Sequence, residues 1–157
     1  MKVLRTLTLL AVSTVLLAGG TSCSKDEMNA RDKADQKLIL DYLETNNLEA
    51  TRHKSGLYYK IHNEGNGENP TLNSVVKVKY KGWLLDGTVF DQTEGTNTYS
   101  QRLYNLIEGW QVGIRLIKPG GRITLYVPSD MGYGKSQAGS IPANSVLVFD
   151  VELVLFY

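Results

Sequence analysis

Apolar and basic side chains alternate one for one along the middle of the chain, with Val76, Val78 and Tyr80 set against Lys77, Lys79 and Lys81. A period of two places the sets on opposite faces of a strand, so this stretch predicts an antiparallel strand with one wet face. Asp86-Gly87 has the chemistry of a hairpin turn, and Thr88-Val89-Phe90-Asp91 begins the return strand. Further on, Ile123, Leu125 and Val127 alternate with Arg122, Thr124 and Tyr126. The last segment, Val146 to Phe156, turns Leu147, Phe149, Val151 and Leu153 inward against Asp150 and Glu152. Leu57 to Ile61 predicts a shorter, aromatic strand, followed by a loop of turn formers from Glu64 to Pro70.

The period changes once within these strands. From Leu106 to Ile117, Trp110, Ile114 and Ile117 recur at i, i+4 and i+7, which predicts a helix over 106–117. Pro119-Gly120-Gly121 then stops it. A tryptophan-bearing helix flanked by strands is most simply a core helix wrapped by a sheet. The predicted class is therefore α+β, a twisted antiparallel sheet around one central helix. Tyr80, Phe90, Tyr99, Tyr133 and Phe149 all lie on flanking segments and could line a cavity floored by Trp110. Pro128 to Ser145 is long and glycine-rich, the kind of loop that often carries function.

The N-terminal third follows another logic. Lys2 and Arg5 precede an apolar run from Leu7 to Leu17, which is shorter than the ~20 residues that span a bilayer. Small residues and then Cys23, the single cysteine, come next. This arrangement resembles a bacterial lipoprotein leader over residues 1–22, in which Cys23 is acylated and becomes the mature N-terminus. The resemblance implies an extracytoplasmic protein anchored to a bacterial membrane through lipid, with the outer membrane expected, facing the periplasm or the cell surface. Residues 23–35 are polar and read as a tether. Leu38, Ile39, Tyr42 and Leu43 recur at helical spacing within 36–53, with Asn46-Asn47 as a stop, and the strand-rich globular domain occupies 54–157.

Composition narrows the chemistry. The 157 residues suit one domain, and the net charge is +1. Loss of Lys2 and Arg5 with a leader leaves 15 basic against 16 acidic groups, with no basic stripe to steer nucleic acid. His53 and His62 are the only histidines and have no second cysteine to join them, so no metal site is expected. Gly134-Lys135-Ser136 imitates the end of a P-loop, but Ser129 stands where its first glycine belongs. No Gly-x-Ser-x-Gly elbow occurs, and Asp130 in Pro128-Ser129-Asp130 suits a turn cap better than half of a carboxylate pair with Asp91.

Several segments together resemble the FKBP-type peptidyl-prolyl cis-trans isomerases. They are Val78-Lys79-Tyr80-Lys81-Gly82, Asp86 to Asp91, Leu106-Ile107-Glu108-Gly109-Trp110, Lys118-Pro119-Gly120-Gly121, Tyr133-Gly134 and Ile141 to Leu153, in the family's order and spacing. The resemblance implies an isomerase of X-Pro bonds in exported proteins. Its partners would be proline-containing polypeptides, with macrolide inhibitors also implied, and it would need no cofactor. It further implies that Tyr80, Phe90, Trp110 and Phe149 receive a proline ring, and that the Ile107 N–H beside Leu106 binds a substrate carbonyl. Tyr133 would donate to the prolyl amide carbonyl, Asp91 would orient Tyr80, Ile141 would close one side, and Tyr99 stands where the family often has phenylalanine. Only about thirty residues separate Cys23 from the domain, fewer than in secreted relatives that carry a dimerisation module, so a monomer is expected.

By pattern alone, Trp110, Phe90 and Phe149 read as core, and Asp91 reads equally well as a solvated turn carboxylate. Two rivals to catalysis therefore stand at this level: a peptide-binding chaperone that keeps the pocket, and a surface lipoprotein that binds sugars. A prolyl-peptide assay separates the first from an isomerase, and glycan binding identifies the second.

Overall fold

The computed structural model describes residues 23–157, with side chains from Ala30 onward. The leader at 1–22 and the Cys23 side chain lie outside the described residues. Helix α1 spans Cys23–Thr45, followed by strands β1 (Thr51–Arg52), β2 (Tyr58–Asn63), β3 (Val75–Leu84), β4 (Val89–Gln92) and β5 (Tyr99–Arg102). Helix α2 (Glu108–Gly113), β6 (Arg122–Val127) and β7 (Leu147–Phe156) complete the order. No described helix is long and apolar enough to cross a membrane.

One antiparallel sheet contains all seven strands, in the order β1-β2-β6-β7-β3-β4, with β5 also paired to β3. The alternating β3 and β7 lie side by side at its centre, in register from Val76↔Phe156 to Leu84↔Leu147. On its other edge β3 is shared, pairing with β5 from Val75 to Val78 and with β4 from Lys81 to Trp83. Thr93 bridges the interval. Its Oγ1 accepts from Tyr80 N–H at 3.0 Å and its own N–H donates to the Tyr80 carbonyl at 2.9 Å, so the backbone of Tyr80 is satisfied where the partners change.

The inner face of the sheet packs on α2. Ile114 and Ile117 are fully buried, as are Ile123, Leu125, Val127, Leu147, Val151 and Leu153 from the strands. Gly109 and Gly113 let the short helix approach β6 closely. A Cβ at Gly109 would stand 2.5 Å from Val127 Cγ1, and one at Gly113 2.4 Å from Leu125 Cδ2.

The expected helix over 106–117 is shorter than its pattern. Leu106 and Ile107 are extended (ψ 167° and 151°), α2 covers six residues, and Ile114–Leu116 forms a 3-10 turn. The face carrying Trp110, Ile114 and Ile117 is buried as its spacing requires. Leu106 and Ile107 were apolar for a different reason: they flank a cavity.

The expected tether at 23–35 is likewise corrected, because those residues belong to α1 and its polar side chains dock on the domain from Arg31 onward. The docked line is Asp35, Ile39 and Leu43, with Tyr42 partly buried, whereas Leu38 stays 45% exposed. These residues cover Tyr58, Tyr126, Val146 and Val148 on the outer face. With that cover, β6 is buried on both sides beyond Arg122. The sheet also reaches back past residue 54, since Thr51↔Tyr59 and Arg52↔Tyr58 are paired.

Candidate active site

The cavity on the inner face forms where three aromatic rings meet edge to face. Trp110 is the hub. Its ring centroid lies 5.0 Å from that of Tyr80 and 5.2 Å from that of Phe149, at interplanar angles of 81° and 84°. Phe90 continues the wall, 5.5 Å from Phe149. The close meeting of Phe90 and Phe149 depends on Gly82, where a Cβ would lie 2.6 Å from Phe90 Cε2 and 2.9 Å from Phe149 Cε1. Tilted contacts of this kind set the positive edge of one ring against the negative face of another, which fixes ring orientation as well as burying area.

Above these rings is a cavity of about 350 Å³ lined by Tyr80, Phe90, Asp91, Tyr99, Leu106, Ile107, Trp110, Tyr133, Ile141 and Phe149, together with Ala138, Gly139 and Ser140. Its volume lies at the lower end of the ~300–1,000 Å³ typical of small-molecule sites. Every residue expected at the pocket stands on this lining, whereas Cys23, expected to be acylated, has its side chain outside the described residues. The three residues not anticipated form a tight turn, in which Ala138 and Ile141 exchange backbone bonds of 3.0 and 2.9 Å and Gly139 has φ 57°. The glycine was the available signal, because a left-handed residue just before an apolar one marks a turn that can aim Ile141 at the cavity.

Polar groups gather on one side. The Tyr80 hydroxyl donates to Asp91 Oδ2 in a short bond. Burial, then the hydrogen bond and the charge of Asp91, push the Tyr80 phenol well above the usual tyrosine range. Tyr133 is also raised, by burial first and then by the Asp91 charge and Tyr99, although 43% of the residue is exposed at the mouth. Both phenols therefore remain proton donors at neutral pH. On the floor, Trp110 Nε1 is buried and has no hydrogen-bond partner among the described residues. Ile107, also on the lining, caps α2, where first-turn N–H groups have no intrahelical partner. The site thus pairs a dry aromatic floor with N–H and O–H donors near the rim. It is built to hold a flat, largely apolar group that carries carbonyl oxygens.

A curved antiparallel sheet around a short helix, with an aromatic hollow at the helix, defines an FKBP-like domain. The model of the FKBP-type peptidyl-prolyl cis-trans isomerase family matches residues 66–154, and the chain belongs to that family. The probable FKBP-type peptidyl-prolyl cis-trans isomerase FkpA of Neisseria meningitidis serogroup B is 46% identical over 104 residues, covering 64% of this chain and 38% of that protein. The crystal structure of FkpA from Escherichia coli superposes with a TM-score of 0.71 at 38% identity, covering 83% of this chain and 62% of that one. A peptidyl-prolyl cis-trans isomerase structure from Pseudomonas syringae pv. tomato gives 0.69 at 30% identity, covering 82% and 95%. The chain spans under two-fifths of the length of the first curated relatives it matches.

Proposed function

We propose that this chain is a peptidyl-prolyl cis-trans isomerase acting on X-Pro bonds of exported polypeptides. The observation that carries the reading is the Trp110-floored cavity, with the Tyr80–Asp91 pair and Tyr133 on one wall, inside a domain of that family.

The chemistry follows from the amide. Rotation about an X-Pro bond interrupts resonance, with a barrier of ~18–20 kcal/mol, and takes tens to hundreds of seconds unaided. The planar amide is charge-separated and well solvated by water, whereas the twisted one is less so. A dry ring-lined hollow therefore disfavours the planar state relative to the twisted state. In this reading the proline ring sits against Trp110 between Tyr80, Phe90 and Phe149, and Ile141 and Tyr99 flank it. Tyr133 donates to the prolyl carbonyl and the Ile107 N–H holds a neighbouring one. Asp91 orients Tyr80 and adds charge beside the reacting amide. A barrier lowered by about 6 kcal/mol corresponds to a rate increase of roughly 10⁴-fold. Macrolide inhibitors would compete for the same hollow.

The test is a prolyl-peptide isomerisation assay on the whole protein and on the double variant Asp91→Asn, Tyr133→Phe. Wild type should accelerate the exchange and the double variant should lose at least tenfold in kcat/KM. A wild type no faster than buffer, or a double variant of full activity, contradicts the reading.

The basic, apolar and small-residue order ahead of Cys23 supports acylation at that sulfur and a membrane-anchored domain outside the cytoplasm. Each buried methylene contributes ~0.8 kcal/mol, so several chains hold a protein firmly at a bilayer. Mass spectrometry of the mature N-terminal peptide should find an acylated Cys23; a free thiol there contradicts it.

A further inference from the structure

The loop that brings Tyr133 and Ile141 to the cavity is held at both ends by a helix that never touches the cavity. Asp35 on α1 is only 1% exposed, a position that a carboxylate occupies at a loss unless it is paired. Its Oδ2 accepts from Ser129 N–H at 2.8 Å and from Ser129 Oγ at 2.5 Å. Its Oδ1 lies 2.7 Å from Arg31 Nη2, one turn earlier on the helix. Arg31 then spans the loop, with Nε donating to Ser129 Oγ at 3.3 Å and Nη2 donating to the Asn144 carbonyl.

Ser129 and Asn144 are the two ends of the loop between β6 and β7. A cross-brace joins them inside it. Gly134 N–H donates to the Ser129 carbonyl at 2.8 Å, and Asn144 N–H donates to the Gly134 carbonyl at 2.7 Å. Gly134 directly follows Tyr133. Asn144 is held at φ 60°, a left-handed conformation that its neighbours must maintain. A continuous set of polar contacts thus runs from Arg31 and Asp35 to the Gly134 backbone, next in sequence to Tyr133.

We propose that Arg31 and Asp35 are positioning residues for the pocket: a clasp on the N-terminal helix that sets Tyr133 and Ile141 relative to Trp110. The proposal rests on the isomerase reading of the cavity. Neither residue lines the cavity, so each acts through the loop. Attaching α1 does not require the pair, because Ile39 and Leu43 supply the helix's apolar contact with the sheet. An ion pair with one buried and one part-exposed partner contributes little net stability compared with apolar residues of similar size, so the distinctive role of this pair is geometric.

The test compares the whole protein with the double variant Arg31→Met, Asp35→Leu, which removes both charges and leaves neither stranded. Leu43→Ala serves as the control, loosening the same helix at its far end. Two quantities are read: hydrogen exchange at the Gly134 and Asn144 amides, and kcat separately from KM on a prolyl peptide. The clasp predicts exchange at least tenfold faster at both amides and a several-fold fall in kcat for the double variant. Leu43→Ala should lower the unfolding midpoint while leaving kcat and both amides close to wild type. Unchanged loop exchange in the double variant overturns the clasp, as does an equal fall of kcat in Leu43→Ala. If wild type itself fails to isomerise, the isomerase reading falls and the two amides still decide whether the clasp holds the loop.

Discussion

On the outer face of the sheet, Tyr58, Tyr126 and Val148 lie under Ile39 and Leu43 of α1; on the inner face, Tyr80, Trp110 and Phe149 meet edge to face beneath an open cavity. The two clusters draw on similar side chains, so hydrophobicity does not distinguish packing from binding here. What differs is the cover. A long helix lays aliphatic side chains directly over the outer rings, and that cluster closes. Across the inner rings the helix is six residues long and its approach through Leu106 and Ile107 is extended, so it supplies a floor and no lid. The loop after β6 passes around the hollow instead of across it, placing Tyr133 and the Ala138–Ile141 turn at the rim. In the open cluster a carboxylate, Asp91, is hydrogen-bonded to one of the phenols, Tyr80.

Emptying each cluster in turn gives the largest effects. Trp110→Ala removes the shared ring of the inner cluster and should destabilise the protein by about 3–5 kcal/mol in urea unfolding while abolishing prolyl isomerisation. Val148→Ala acts on the outer cluster. It should cost about 2–3 kcal/mol, from lost methyl burial plus a residual cavity, with kcat/KM unchanged at a temperature where the variant is folded. Loss of catalysis in Val148→Ala out of proportion to unfolding would show that the two faces are not independent.

A smaller effect, at alkaline pH, is shared by the two faces, and catalysis separates them. The phenols of Tyr80 and Tyr133 are raised above the usual tyrosine value of 10.0 by burial first, so the folded state holds their protons more tightly than the unfolded chain. The stability this contributes is complete below that value and is lost as pH rises through the raised values. Tyr126 on the outer face is raised too, mainly by burial. Unfolding midpoints should therefore hold up to about pH 10 and fall above it. Tyr133→Phe should reduce that alkaline fall, and lower kcat already at neutral pH, whereas Tyr126→Phe should reduce the fall and leave kcat unchanged.

Much of the inner face was legible because its determinants are local. Alternation marks β3, β6 and β7, and the spacing of Trp110, Ile114 and Ile117 gives the buried side of α2 even though the helix is shorter than the apolar run. Asp91 was ambiguous by pattern; only its pairing with Tyr80, across the junction of β3 and β4, separates it from a turn carboxylate. The outer face was legible only in part, since the spacing of Ile39, Tyr42 and Leu43 marks the helix that covers it but not where that helix docks. Asp35 looks like one more charge in a polar stretch, and its partner Ser129 lies 94 residues away. No local period encodes such a contact, nor the docking of Ile39 and Leu43 that buries Tyr126 and Val148.

The central claim is that a proline ring seats against the indole of Trp110. Trp83→Phe leaves Trp110 as the only tryptophan, so titrating that protein with a prolyl peptide while recording emission tests the claim most directly. Trp110 emission should change saturably, with a midpoint that matches the concentration at which the same peptide inhibits isomerisation of a second substrate. Full isomerase activity with an emission that never responds to the peptide would contradict the claim.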